Sequence, residues 1–252
     1  MAFQAVFKRV EKKYLLDEKQ YNELRKRLEG HMTVDRYGET TICNIYYDTP
    51  EKLIVRRSLE KPIYKEKLRV RSYGTPEAGG TLFVEIKKKF KSVVYKRRTS
   101  MKLEQYDDFN RGLTINSEDK QIENELLYFL KFYKGIAPAM YLSYDRIAMF
   151  GNEDKELRVT FDRNLTFREE DLRLESGSYG RKALPEGMRI MEIKITNAMP
   201  LWLSRILDEL KIYPASYSKY GTCYTIVEKE RRAALKEKKT NIEKKEKVTH
   251  CA

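Results

Sequence analysis

The stretch "KEKLRVRSYG", residues 65–74, decides how this chain is read. With a period of two, Lys65, Lys67, Arg69 and Arg71 fall on one side of a strand, and Leu68 and Val70 on the other. Like charges side by side repel, and long side chains lose rotamer entropy when ordered. A strand built this way either shows its cations to water or holds a polyanion. The next segment, "TLFVEIKKKF" (81–90), returns after the loop "TPEAGG" (75–80) as the second arm of a hairpin and repeats the pattern. Glu85, Lys87 and Lys89 share one face, and Val84 and Ile86 the other.

The same alternation recurs outward from this hairpin. "FKRVEKKYLL" (7–16) groups Arg9, Glu11 and Lys13 against Val10 and Tyr14. "SVVYKRRTSM" (92–101) contributes Lys96 and Arg98. "AMYLSYDRIAMFG" (139–151) and "LRVTFDRNL" (157–165) form a second hairpin around "NEDKE", with Tyr144, Arg146, Arg158, Thr160 and Asp162 on the polar side. "RIMEIKITN" (189–197) puts Glu192 and Lys194 against Met191, Ile193 and Ile195. "TTICNIYYDT" (40–49) is another strand, ending in the turn signal at Asp48-Thr-Pro. The charged faces together hold thirteen cations (9, 13, 65, 67, 69, 71, 87, 89, 96, 98, 146, 158 and 194) and four anions (11, 85, 162 and 192).

Helical spacing appears between the strands. Asp17 caps a helix running to about Glu29. Further helices are predicted over 118–134, over 200–210 with Pro200 near the start, and from Lys219 onward. Residues 168–187 read as irregular. Seven or eight antiparallel strands with helices at their ends give an α+β protein. No linker divides the chain, so residues 1–227 are one expected domain and 228–252 a charged helix fraying into a tail.

Composition limits the partners. The 252 residues include 51 basic and 38 acidic side chains, a net charge of +13, which favours anions such as phosphates, nucleic acid or an acidic surface. At 41% hydrophobic residues a sizeable core is possible. The three cysteines form no CxxC pair, and only two histidines are present, which argues against a disulfide framework, a zinc site or histidine-based catalysis. No apolar run approaches the ~20 residues of a membrane span, and the N-terminus lacks a signal-peptide core. A reduced, cytoplasmic setting is the expectation.

The apolar faces need cover, which the helices can supply. The charged faces then look at water or at each other. An open sheet would make a broad basic surface, and a closed one a wet tunnel whose walls focus the field on a bound polyanion. Arginine offers bidentate contacts to phosphate, lysine a point charge, and the few glutamates could hold a divalent metal. No Walker A loop or protein-kinase signature is present.

The segments "RVEKKY", "IYYDT", "KLRVRSYG", "FVEIKKK", "YKRR", "SYDRIAM", "LRVTFD", "MEIKI" and "SYSKYGTCY" occur in an order that resembles the VTC domain. This is the catalytic domain of the vacuolar transporter chaperone complex, in the triphosphate tunnel metalloenzyme superfamily. The resemblance implies a closed antiparallel β-barrel tunnel with flanking helices, the triphosphate tunnel fold. It also implies an ATP-polyphosphate phosphotransferase, which moves the terminal phosphate of ATP onto a growing polyphosphate chain with a divalent metal, Mn2+ or Mg2+. Carried over by motif, Arg69 and Arg71 would grip nucleotide phosphates and act with Lys219 in catalysis. Arg9, Lys13, Lys67, Lys87, Lys96, Arg98, Arg146, Arg158 and Lys194 would line the path of substrate or product. Tyr144 would add a hydroxyl or ring contact, and Ser218 would complete the phosphate site. Glu192 would be the principal metal ligand, with Glu11 beside it.

Two other readings stay open. Hydrolytic members of the superfamily carry an ExExK pattern on the first strand, where this chain has "RVEKK" with Arg9 in place of the first Glu. Glu11, Glu85 and Glu192 still leave room for a triphosphate hydrolase. A non-catalytic module binding polyphosphate or RNA is the third reading; DNA is not an expected partner. The chain shows neither membrane spans nor a phosphate-sensing module, so export of product would need a separate membrane or accessory partner.

Overall fold

A computed structural model describes residues 10–91, 93–112, 114–115, 117–196 and 198–249, the side chains of 239 and 241–249 aside. Arg9 lies outside the described residues.

One antiparallel nine-stranded sheet organises the chain. Its strands are β1 (Val10–Leu16), β2 (Met32–Asp48), β3 (Tyr64–Tyr73), β4 (Thr81–Phe90), β5 (Val93–Lys102), β6 (Ala137–Gly151), β7 (Arg158–Arg168), β8 (Arg181–Lys182) and β9 (Arg189–Ile195). They run in the order β1-β9-β7-β6-β2-β3-β4-β5, with the short β8 beside β7. The helices are α1 (Glu18–Arg27), α2 (Leu53–Leu59), α3 (Tyr106–Gly112), α4 (Lys120–Phe132), α5 (Leu201–Glu209) and α6 (Lys219–Thr249).

The period-two pattern sets the layers. Leu68, Val70, Leu82, Val84 and Ile86 are fully buried, each stabilising the fold by about 1.5–3 kcal/mol relative to exposure. They pack with Phe109 of α3 and with Leu126, Phe129 and Leu130 of α4. Tyr14, Val159, Phe161, Met191 and Ile193 form a second core with Leu24 of α1 and Leu203 and Leu207 of α5. Helices thus cover the convex face on both halves of the sheet, and the charged residues line the concave face.

The closed barrel expected from the resemblance does not form. Among the described residues β1 pairs with neither β4 nor β5, and it meets β4 through side chains, with Lys87 Nζ 2.7 Å from Glu11 Oε2. Two side chains laid tip to tip hold backbones well beyond the ~4.8 Å of a paired ladder. The reason lies at the outer edge of β1. There the Ala215 N–H donates to the Lys13 carbonyl at 2.7 Å, and Tyr14 bridges to Pro214. The segment leading into α6 thus occupies the β1 edge at Lys13 and Tyr14, where a closing strand would have to pair. The sheet is therefore a curled, open cleft.

One end of the cleft is filled. Tyr220, Cys223 and Val227 of α6 and Val55 of α2 pack on Ile42, Tyr46, Leu142, Tyr144 and Ile190 of the concave face. The helix expected from Lys219 is present and continues through position 228 to Thr249. α2, α3 and the short β8 are additions to the expected elements. No helix among the described residues is long and apolar enough to cross a membrane.

Candidate functional site

Cross-strand register assembles the site. Arg69 lies opposite Glu85, and Glu85 opposite Arg98. Glu85 is 1% exposed and binds three cations. Arg69 Nε donates to its Oε2 at 2.8 Å, Lys96 lies 2.8 Å from its Oε1, and Arg98 Nε donates to Oε1 at 2.6 Å. Burial opposes ionisation of Glu85, but Arg69, Arg71 and Lys96 outweigh it and hold the carboxyl well below its usual range. Arg69 has little left to offer a ligand, because its Nη1 donates to the Tyr46 hydroxyl at 3.1 Å.

Arg71 sits deeper, on two neutral partners. Its Nε donates to Asn44 Oδ1 at 2.9 Å and its Nη2 to the Tyr144 hydroxyl at 3.1 Å. Burial resists ionisation of Tyr144, yet Arg71, Arg146 and Lys219 bring its pKa down to about 8.

Asp162 anchors the opposite wall. It takes a bidentate pair from Arg146 at 2.6 and 2.8 Å and an ion pair from Lys219 at 2.5 Å. It is fully buried. Lys219 and Arg146 overcome the burial and lower its pKa to about 2. Glu192 lies opposite both Lys13 and Thr160, and Glu11 opposite Lys194. Burial raises the Glu192 pKa, but Lys194, Lys13, Lys87 and Lys219 together push it well below the usual carboxylate range.

The segment "YSKY" (217–220) ties these walls together, with each residue touching a different strand or its end. Lys13 Nζ donates to the Tyr217 carbonyl at 3.0 Å. Lys67 Nζ donates to Ser218 Oγ at 2.8 Å. Lys219 pairs with Asp162, and the Tyr220 hydroxyl donates to Asp48 Oδ2 at 2.9 Å. Asp48 also accepts from the backbone N–H groups of Thr49, Ile54 and Val55. One buried carboxylate thus caps α2 and holds the first turn of α6 at the cleft.

The predicted residues converge, with two exceptions. Lys13, Lys67, Arg69, Arg71, Lys87, Lys96, Arg98, Tyr144, Arg146, Glu192, Lys194, Ser218, Lys219 and Glu11 share the concave face. Arg158 shares it only at an exposed margin, where its guanidinium stands 5.7 Å from the centre of the Phe150 ring. Arg9 is outside the described residues. Sequence reading missed Asn44, Tyr46 and Asp48 as partners; period two places Asn44 and Tyr46 on one face of β2, which was the available signal.

The fold resembles that of a Bacillus halodurans protein described as an adenylate cyclase, with a TM-score of 0.52 and 13% identity over 85% of this chain and 96% of that one. It also resembles a Hippeastrum protein named as an adenylyl cyclase and found to have a dominant triphosphatase activity. There the TM-score is 0.52, with 14% identity over 86% of this chain and 94% of that one. At these identities the likeness shows the fold. No curated protein matches the chain. The VTC domain family matches residues 8–228. With that match over most of its length, and with the alternating cations of its strands turned into one cleft, the chain belongs to the VTC domain family.

Proposed function

We propose that this protein is a polyphosphate polymerase that transfers the terminal phosphoryl group of ATP to a growing inorganic polyphosphate chain. Family membership supports triphosphate chemistry in general. The observation that carries the finer reading is the use of the carboxylates. Glu85 is bound by Arg69, Lys96 and Arg98, and Asp162 by Arg146 and Lys219. Both serve as counterions that fix several cations, whereas Glu11 and Glu192 each meet one lysine, Lys87 at 2.7 Å and Lys194 at 3.5 Å, and are the two that could turn to a metal. A hydrolase reading calls for more acidic ligands than this.

Phosphoryl transfer demands positioning and neutralisation of spreading charge rather than covalent chemistry from the protein. Lys13, Lys67, Lys87 and Lys96 reach into the cleft from four strands and can seat successive phosphates. Arg71 and Lys219 approach from its inner end, where burial strengthens their field.

Glu11 and Glu192 stand diagonally on neighbouring strands, and the buried Thr160 hydroxyl opposite Glu192 has no hydrogen-bond partner. Among the described residues no cluster of three His, Cys, Asp or Glu is present. Two carboxylates and a hydroxyl are too few for an all-protein cage. They fit a Mg2+ or Mn2+ ion that also takes phosphate oxygens. When bound, such an ion would neutralise charge on the phosphoryl oxygens.

Triphosphate hydrolysis is the second reading, favoured by the activity reported for the Hippeastrum neighbour. One assay separates the two. Purified protein with ATP and manganese should yield ADP and polyphosphate. ADP with matching free phosphate and no polymer would replace the polymerase by a hydrolase. Tight polyanion binding without turnover would make it a binding module.

A further inference from the structure

One register row across β3, β4 and β5 is made of lysines alone. Lys67 faces Lys87, and Lys87 faces Lys96. Lys87 has Glu11 at 2.7 Å and Lys96 has Glu85 at 2.8 Å. Lys67 has no carboxylate partner among the described residues, and its Nζ bonds the Ser218 hydroxyl instead. Lys13, Lys65, Lys87 and Arg69 surround it.

We propose that Lys67 is an acceptor for acyl phosphates: the surrounding cations seat the phosphate, and the Lys67 amine takes the acyl group. This rests on the reading of the cleft as a phosphate site. The neutral amine attacks the carbonyl carbon, an N–C bond forms, and the C–O bond to phosphate breaks. Phosphate leaves with the electron pair, and the surplus proton of the nitrogen goes to phosphate or solvent. No further reactant is required. The cations that attract the acyl phosphate also stabilise the departing phosphate. Burial, then Lys13, Lys65, Lys87 and Arg69, bring the Lys67 pKa down to about 7. Roughly half of its amine is then neutral near pH 7, against about one part in a thousand or less for an ordinary lysine near 10.4. The resulting amide carries no charge, so acylation turns down the affinity of the cleft for polyanions.

The test uses the full chain with acetyl phosphate at pH 7.5. Acetylated lysines are quantified by peptide mass spectrometry, and tripolyphosphate binding is measured by calorimetry in parallel. Lys67 should react at least tenfold faster than the exposed Lys19 and Lys182. Its rate should level off above pH ~7 while theirs continue to rise. Tripolyphosphate should protect it, and acetylation should weaken tripolyphosphate binding in the wild type but not in K67R. Even labelling of all lysines, without protection, in a protein that does bind tripolyphosphate would overturn the acyl-acceptor role and leave the phosphate site standing. Failure of the unmodified protein to bind tripolyphosphate would overturn the phosphate site itself, and this role with it.

Discussion

Two neighbouring rows of the same three strands are built on opposite rules. Arg69, Glu85 and Arg98 alternate in sign across β3, β4 and β5, while Lys67, Lys87 and Lys96, two residues away, are all positive. In the first row a carboxylate buried to 1% exposure fixes its cations and keeps them charged. In the second row counter-charge is short. Glu11 serves Lys87, Glu85 extends to Lys96, and Lys67 goes without. Burial then lowers the Lys67 pKa to about 7 and that of Lys96 to about 8. One row is a finished scaffold. The other is completed by an anion from outside.

The sharpest way to break this contrast is Glu85→Gln. It leaves Arg69, Lys96 and Arg98 without their shared anion, and breaking a buried pair by removing one partner costs about 3–5 kcal/mol. Because Lys96 and Arg98 are partly exposed, the low end, about 3 kcal/mol, is expected in urea unfolding. Tripolyphosphate should restore part of the loss and raise the variant's Tm more than the wild type's. A stability change within ~0.5 kcal/mol would mean that the alternating row does not depend on Glu85.

Glu192→Gln comes next and touches chemistry as well as the scaffold, because Lys194, Lys13, Lys87 and Lys219 lose the anion they face. It keeps shape while removing one of the two carboxylates that could turn to a metal, so turnover should fall by about 100-fold while ATP binding changes little. Unchanged activity across a manganese titration would remove Glu192 from the site.

Arg69→Ala and Arg71→Ala probe where the scaffold ends and the receiving surface begins. A charge-assisted hydrogen bond to phosphate is worth about 1.5–3 kcal/mol. Arg71 rests on Asn44 and Tyr144, with no carboxylate among its bonded partners. Its removal should cost that amount in tripolyphosphate affinity with little loss of stability. Arg69 is committed to Glu85 and Tyr46. Its removal should cost less affinity and more stability. Calorimetry on both variants decides, and equal affinities in all three proteins would sink the phosphate role of this strand.

The alternation of "KEKLRVRSYG" was legible because side-chain facing is a local property of a strand. So was the cover of the apolar faces, since Leu68, Val70, Val84 and Ile86 had to be buried somewhere. Closure was not legible. Whether β1 pairs across the gap depends on Ala215 and Pro214 reaching its edge from two hundred residues away. α2 escaped for a related reason. Asp48-Thr-Pro reads as a turn, and only the structure shows Asp48 receiving the N–H groups of Ile54 and Val55 to start a short helix. In the site, the charges were visible but their pairing was not. Glu85 reads as one anion among many until register sets it between Arg69 and Arg98.

The smallest expected effect is the one that tests the second row most directly. Lys67 titrates near 7 in the free protein, and a bound polyanion raises that value because it favours the charged amine. Below pH 7 the amine is already protonated and binding is at full strength. Above pH 7 each binding event must take up a proton, so tripolyphosphate affinity should fall by up to tenfold, about 1.4 kcal/mol, per pH unit until the raised bound-state pKa is passed. Stability of the free protein runs the other way. The unfolded chain binds the Lys67 proton up to about pH 10.4 and the folded chain only to about 7, so this group adds stability as pH rises between those values. K67R stays charged throughout and should remove the part of both slopes centred near pH 7, leaving the part that Lys13, Lys96 and Tyr144 contribute near 8. Calorimetry between pH 6 and 9, repeated in buffers of different ionisation heat, counts the protons taken up. An affinity independent of pH in the wild type would show that Lys67 is already fully charged, and the two rows would then differ in register alone.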